Sequence, residues 1–77
     1  LRWQFLEAEK EIQKEIDRYY SSNREEINNI LEESKNDAVK TKRIPDSKLE
    51  KLKKFERIYI LALPWIRLII DLILKGD

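Results

Sequence analysis

The side chains that could do chemistry in this sequence are carboxylates, amines, guanidinium groups and hydroxyls, because it contains neither histidine nor cysteine. The commonest general base and the best nucleophile of enzymes are therefore missing. The imidazole and thiolate ligands of the usual zinc sites are missing too. Gly76 is the one glycine, so the sequence has no glycine-rich phosphate loop. We therefore expect a protein that is not an enzyme and that has no cofactor, no catalytic residues and no metal site.

Carboxylates and serines are better explained as structural residues. Adjacent carboxylates occur at Glu25–Glu26 and at Glu32–Glu33, but their neighbours lack the spacing of a calcium loop. Solvated helix faces account for both pairs. The four serines lie at predicted helix caps or on polar faces, and they are Ser21, Ser22, Ser34 and Ser47.

Basic residues are concentrated between positions 40 and 57. Residues 1–39 hold six basic and ten acidic residues, whereas residues 40–77 hold ten basic and five acidic ones. Such asymmetry suits a polyanionic partner, and the cluster could neutralise several phosphates independently of sequence. The alternative is that the two halves neutralise each other within one bundle, and no known nucleic-acid-binding motif is visible. The predicted nucleic-acid-binding residues are Lys40, Lys42, Arg43, Lys51, Lys53, Lys54 and Arg57.

The segment "IYILALPWIRLIIDLIL", residues 58–74, is almost wholly apolar. It lies at the lower limit of about 17–25 residues for a membrane span, and two central charges disfavour insertion. A C-terminal membrane anchor is therefore only a minor alternative. Arg67 and Asp71 are four residues apart and lie on one helix face. They form either a local ion pair or a polar contact with a partner chain.

Apolar residues recur three and four positions apart, which predicts an all-α fold in one domain, residues 1–77. We expect helices at about 3–20, 23–40 and 47–75. Pro64 either kinks the third helix or breaks it, so the bundle has three helices or four.

Three local signals place the helix ends. Ser22 with Glu25, and Ser47 with Glu50, have the spacing of capping boxes at the starts of the second and third helices. Gly76 is a cap signal for the end of the last helix.

The last helix is apolar nearly all round, whereas each of the first two has a single apolar stripe. Two stripes cannot cover all sides of such a helix, and contiguous apolar exposure usually marks an association surface. We therefore expect a homo-oligomer or a stable complex with another protein through this helix. The predicted partner-binding residues are Ile58, Leu61, Trp65, Ile66, Ile69, Leu72 and Ile73.

Composition gives two weaker expectations. Charged residues make up 40% of the chain and Lys, Glu and Ile are abundant, without Cys or Met, which is typical of a thermophile protein. The absence of Cys is compatible with a reducing compartment, so we expect a cytoplasmic protein.

The segment "LEKLKKFERIYILAL", residues 49–63, is a charged helix that becomes apolar. With the Lys-, Glu- and Ile-rich style of the whole chain, it resembles the small helical accessory proteins of archaeal DNA replication. Examples are the small subunits of the crenarchaeal B-family replicative polymerase and the helical domains of GINS proteins. The resemblance implies DNA replication as the setting and DNA as a nearby partner, and it transfers no site residues. The predicted function is a non-catalytic interaction module or accessory subunit, with sequence-independent nucleic-acid binding as the alternative.

Overall fold

Four α-helices make up most of Arg2–Lys75, the residues that the computed structural model describes. They are α1 (Arg2–Tyr19), α2 (Arg24–Thr41), α3 (Asp46–Lys53) and α4 (Glu56–Lys75), and a short 3-10 helix occupies Ser21–Asn23. Those residues contain no strand, and the predicted all-α class is confirmed. The predicted cap at Gly76 lies outside the described residues.

Helix α4 is the central element, because α1, α2 and α3 all contact it. Helices α1 and α4 run antiparallel: Phe5 near the start of α1 stacks on Trp65, and Tyr20 just after α1 contacts Phe55 at the start of α4. The hydrophobic cluster draws on all four helices and their junctions. Its buried members are Ile12, Ile16, Ile27, Ile30, Leu31, Ala38, Leu52, Phe55, Ile58, Ala62, Trp65, Ile66 and Ile69.

The predicted stripe of α2 is the buried face of that helix. Ile27, Ile30, Leu31, Ser34 and Ala38 recur three and four residues apart, and all five are buried. On α1 the same spacing brings Ile12 and Ile16 into the core. A single apolar stripe is thus sufficient to orient each of these two helices.

The break between the last two helices falls at Lys54–Phe55 and not at Pro64. Helix α4 continues through Pro64, so the prediction of one helix over 47–75 is wrong and the alternative break at Pro64 is wrong too. The N–H groups of Lys54 and Phe55 donate to the carbonyls of Lys51 and Leu52, 3.3 and 2.9 Å away. Each of these hydrogen bonds spans three residues, whereas an α-helical hydrogen bond spans four. They form a tight turn that ends α3.

Neither predicted capping box forms. Helix α2 begins after Asn23 and α3 begins after Pro45, and neither of these residues makes a side-chain cap hydrogen bond. The Ser22 hydroxyl instead contacts Oδ1 of its neighbour Asn23 at 3.2 Å. The predicted starts of α2 and α3 lie within one residue of the observed ones, but capping boxes do not form them.

Candidate protein interaction surface

Most of the predicted partner-binding residues lie in the protein's own core. Ile58, Trp65, Ile66 and Ile69 are buried, so the expectation that this set lines an exposed surface needs correction. Of the other members of the set, Leu61 and Leu72 are half-buried and Ile73 is exposed.

Helix α3 explains the correction. The turn at Lys54–Phe55 separates α3 from α4 and lets it pack on α4 as a third covering helix. Leu52 of α3 is fully buried and belongs to the same apolar cluster as Ile58. The sequence predicted that only the apolar stripes of the first two helices would cover α4. Because α3 covers it too, a wider part of the α4 surface is buried than predicted.

One side of α4 nevertheless faces solvent along most of the helix. We call this side the outer face of α4, and its exposed residues are Ile60, Pro64, Arg67, Asp71 and Leu74. Ile60 is 61% exposed and Leu74 is 66% exposed, which makes them two of the most exposed large apolar side chains of the described chain. Three apolar residues and two opposite charges thus share the exposed side of α4.

The spacing along the outer face of α4 alternates between four and three residues from Ile60 to Leu74. This is the spacing of the contact positions in a left-handed coiled coil, where a helix meets another helix along one narrow line. Arg67 and Asp71 occupy two successive positions of that line. The exposed residues of the outer face thus follow one narrow line along α4.

The expected local ion pair between Arg67 and Asp71 does not form. The ion pairs of the described residues include neither side chain. Pairs three residues apart do form on other exposed helix faces, as between Lys14 and Glu11. Arg67 and Asp71 are thus exposed charges whose opposite partners are not supplied by their own helix.

Pro64 lies between Ile60 and Arg67 on this surface. Because proline has no backbone N–H, the carbonyl of Ile60, four residues earlier, loses its usual helical donor. The ring is exposed, so no neighbouring helix covers this part of α4. Helix α4 is uninterrupted at Pro64.

The structure divides the predicted nucleic-acid-binding residues into two groups. Lys40, Lys42 and Arg43 lie at the end of α2, whereas Lys51, Lys53 and Lys54 lie at the far end of α3. All six are exposed. Between them, Lys48 forms an ion pair with Asp37 of α2 and so carries no free charge. The basic segment is therefore not one continuous stripe.

Arg57, the last of the predicted nucleic-acid-binding residues, is occupied within the fold. Its Nε donates a hydrogen bond of 3.0 Å to Oε2 of Glu15 on α1, and its guanidinium carbon lies 5.0 Å from the ring centroid of Tyr19. The hydrogen bond to Glu15, then the charge of Glu15 and that of Tyr19, raise the pKa of Arg57. Arg57 thus links α1 to α4, while 60% of its side chain remains exposed.

Other exposed apolar side chains lie on α1. Trp3 is 71% exposed and Leu6 is 54% exposed near the start of that helix, and Tyr19 is 53% exposed at its end. Trp3 and Leu6 are three residues apart and share one face at the start of α1, whereas Tyr19 lies at the other end of that helix. On α4, Ile60, Pro64 and Leu74 share one line with two opposite charges. Among the described residues, no helix is of the length and apolarity that crossing a bilayer requires.

No family model, curated protein or solved structure matches this chain. Sequence reasoning missed Ile60, Pro64 and Leu74 as surface residues. The available signal was the pair Arg67 and Asp71, because charges on an otherwise apolar helix mark its outward side and the residues three and four positions away share it.

Proposed function

We propose that this chain is a small non-catalytic helical interaction module that associates with a protein partner through the outer face of α4. The observation that supports the proposal is that exposed apolar side chains share one line of α4 with two charges, Arg67 and Asp71, that form no ion pair among the described residues. Full burial of a side chain such as Ile60 or Leu74 contributes about 1.5–3 kcal/mol. Association would therefore remove a surface that is costly to leave in water.

The biological role that suits such a module is that of an accessory subunit. Its remaining surface is densely charged, with 40% charged residues in the whole chain. Charged surface residues keep a protein from associating nonspecifically, so one apolar line in such a surface can direct a specific contact. A nucleic-acid-processing complex is the setting that we propose for it, by the resemblance of its sequence style to replication accessory proteins.

Site-specific crosslinking tests the proposed surface. A photoreactive amino acid would replace Ile60 or Leu74, and Asn29, which is exposed on α2, would be replaced in the matched control. Each protein would be irradiated both in purified form and in a lysate of the source cells. We expect a discrete crosslinked product from positions 60 and 74 and none from position 29. Products that are absent, or equal at all three positions, would contradict the proposed function.

A second candidate function is sequence-independent nucleic-acid binding at the end of α3. The observation that favours it is that Lys51, Lys53 and Lys54 are exposed and belong to no ion pair of the described residues. Phosphate contacts by such lysines would give an affinity that falls steeply with salt.

Gel shifts at increasing salt would test this second candidate. The test variant replaces Lys51, Lys53 and Lys54 with Gln. We expect the slope of the logarithm of the binding constant against the logarithm of the salt concentration to become shallower by about one for each lost phosphate contact. The charge-matched control replaces three exposed lysines elsewhere, and these are Lys10, Lys14 and Lys75. Binding that is absent at low salt, or equally reduced in both variants, would exclude the α3 lysines as a site.

A further inference from the structure

We infer that the partner of the outer face of α4 is a second copy of this chain, bound antiparallel so that Arg67 of each copy pairs with Asp71 of the other. This inference depends on the proposed function, because it names the partner of the same surface. It follows from the order, spacing and exposure of the five residues of that face.

The two charges make the outer face complementary to itself. Arg67 and Asp71 lie four residues apart, about 6 Å along the helix axis at the usual rise per residue. When two such helices run antiparallel about a two-fold axis level with residue 69, each arginine lies opposite the aspartate of the other copy. Both charges, which form no ion pair among the described residues, are then paired, and the pairing occurs twice by symmetry.

The same register also brings apolar residues together. In an antiparallel pair centred at residue 69, Pro64 lies level with Leu74 of the partner subunit. Two Pro64–Leu74 layers then flank the two ion pairs, one on each side. Ile60 lies about one turn beyond each layer, level with a point past the last residue of the partner's α4. The apolar layers bury Leu74, which is 66% exposed in the single chain. This alternation of layers matches the four–three spacing of a coiled-coil contact line.

Other arrangements of two copies bring like charges together. A parallel pair in register would place the two Arg67 side chains side by side, and likewise the two Asp71 side chains. An antiparallel pair centred on Arg67 or on Asp71 would do the same at its centre. Like charges directly opposite each other disfavour a contact, so the charge pattern selects both the antiparallel direction and the register.

Exchange of charge between two variants tests the inference. Arg67→Asp gives an outer face with two acidic residues, and Asp71→Arg gives one with two basic residues. Each variant alone should repel its own copy, whereas the two variants mixed should form a heterodimer, because every acidic position then faces a basic one. The double variant R67D/D71R should form a homodimer again. A local ion pair within one helix predicts no restoration on mixing.

The measurements would be sedimentation velocity over a range of concentrations and native mass spectrometry with one variant isotopically labelled. We expect the unaltered chain to reach twice its monomer mass and each single variant to dimerise more weakly by about tenfold or more. Mixing should restore dimerisation with a mixed mass. Matched controls reverse exposed charges on α2, at Glu33 and Lys40, and should leave dimerisation unchanged.

Two results would overturn the inference. One is an unaltered chain that stays monomeric at every concentration, and the other is a dimer that the single reversals do not weaken or that mixing does not restore. Circular dichroism melts would verify that each variant folds, and the milder Arg67→Gln, which should weaken the dimer less than Arg67→Asp, is measured alongside. A monomer whose positions 60 and 74 crosslink to a different protein would exclude the second copy and retain the proposed function. A monomer with no crosslinks would exclude both.

Discussion

Phe5 stacks on Trp65 with ring centroids 5.8 Å apart and ring planes inclined by 25°, which joins the start of α1 to the middle of α4. Trp65 is 4% exposed, whereas Trp3, two residues before Phe5, is 71% exposed. The two tryptophans therefore lie in opposite environments. Each of them can be observed by fluorescence once the other is replaced.

The first prediction concerns these two indoles. Trp3→Phe leaves Trp65 as the fluorophore, and we expect blue-shifted emission with little quenching by acrylamide, because the ring is packed in the core. Trp65→Phe leaves Trp3, and we expect emission and quenching close to those of the unfolded chain. Emission spectra with and without denaturant would measure both.

Substitutions at the same two positions should have different effects on the free energy of unfolding. Trp65→Ala should lower the free energy of unfolding by about 3–5 kcal/mol, because it removes a buried aromatic ring and leaves a cavity. Trp3→Ala should change it by no more than about 0.5 kcal/mol. Urea denaturation followed by circular dichroism would measure both values, and equal losses would contradict the position of Trp65 in the core.

The second prediction concerns Ser34, whose hydroxyl is fully buried and has no hydrogen-bond partner among the residues that the structure describes. A buried polar group without a partner costs about 1–3 kcal/mol, and alanine is also the better helix former. Ser34→Ala should therefore raise the free energy of unfolding by about 1–2 kcal/mol.

Ser21→Ala, at an exposed site of the 3-10 helix, is the control for Ser34 and should have little effect. Chemical denaturation of the two variants would compare them directly. A loss of stability in Ser34→Ala would mean that its hydroxyl donates to a backbone carbonyl of the preceding turn and is not unsatisfied.

The buried stripe of α2 could be predicted from sequence because its members recur three and four positions apart and most of the other residues of that helix are polar. The end of α3 could not, because Lys54 and Phe55 include no proline or glycine and both remain compatible with a helix. The turn is a tertiary effect: it allows Leu52 to be buried against α4 in company with Phe55 and Ile58. Local propensity does not contain that information.

The outer face of α4 was difficult to predict for a related reason. On a helix that is apolar nearly all round, apolar periodicity no longer distinguishes the buried side from the exposed one. Ile58 and Ile60 are chemically identical, yet one is fully buried and the other is 61% exposed. Only the positions of Arg67 and Asp71 distinguish the two sides of the helix, because charged residues face solvent. Ile60 and Leu74 lie on the same side as these two residues.

The third prediction concerns Lys42, which ends α2 with a left-handed backbone at φ 62° and ψ 20°. Its N–H donates a bond of 2.9 Å to the Ala38 carbonyl, so the conformation closes the last turn. A side chain with a Cβ atom makes this conformation unfavourable, and glycine relieves it. Lys42→Gly should raise the free energy of unfolding by about 1 kcal/mol.

Lys40→Gly is the matched control, because Lys40 is also exposed but lies within the helix. Glycine there should lower the free energy of unfolding by about 1 kcal/mol. Thermal melts of both variants would show opposite signs if Lys42 has a left-handed backbone. Equal losses in both variants would contradict that conformation.

The fourth prediction concerns the ion pair between Arg57 and Glu15. The Glu15 side chain is only 12% exposed, whereas Lys14 and Glu11, which form a pair on the same helix, are 65% and 56% exposed. Loss of a partner matters more for a charge that water cannot reach freely. Arg57→Gln should therefore lower the melting temperature more than Lys14→Gln. Arg57→Lys should fall between them, because lysine keeps the charge but not the planar contact with Tyr19.

The pH dependence of that effect follows from the raised pKa of Arg57. A basic group whose pKa is higher in the folded state contributes stability at every pH below its unfolded pKa and loses it only above the folded one. For a guanidinium group this loss lies in strongly alkaline solution. The difference in melting temperature between the unaltered chain and Arg57→Gln should thus be constant from about pH 6 to 9. A difference that disappears within that range, or one no larger than for Lys14→Gln, would contradict the role of Arg57 as the link between α1 and α4.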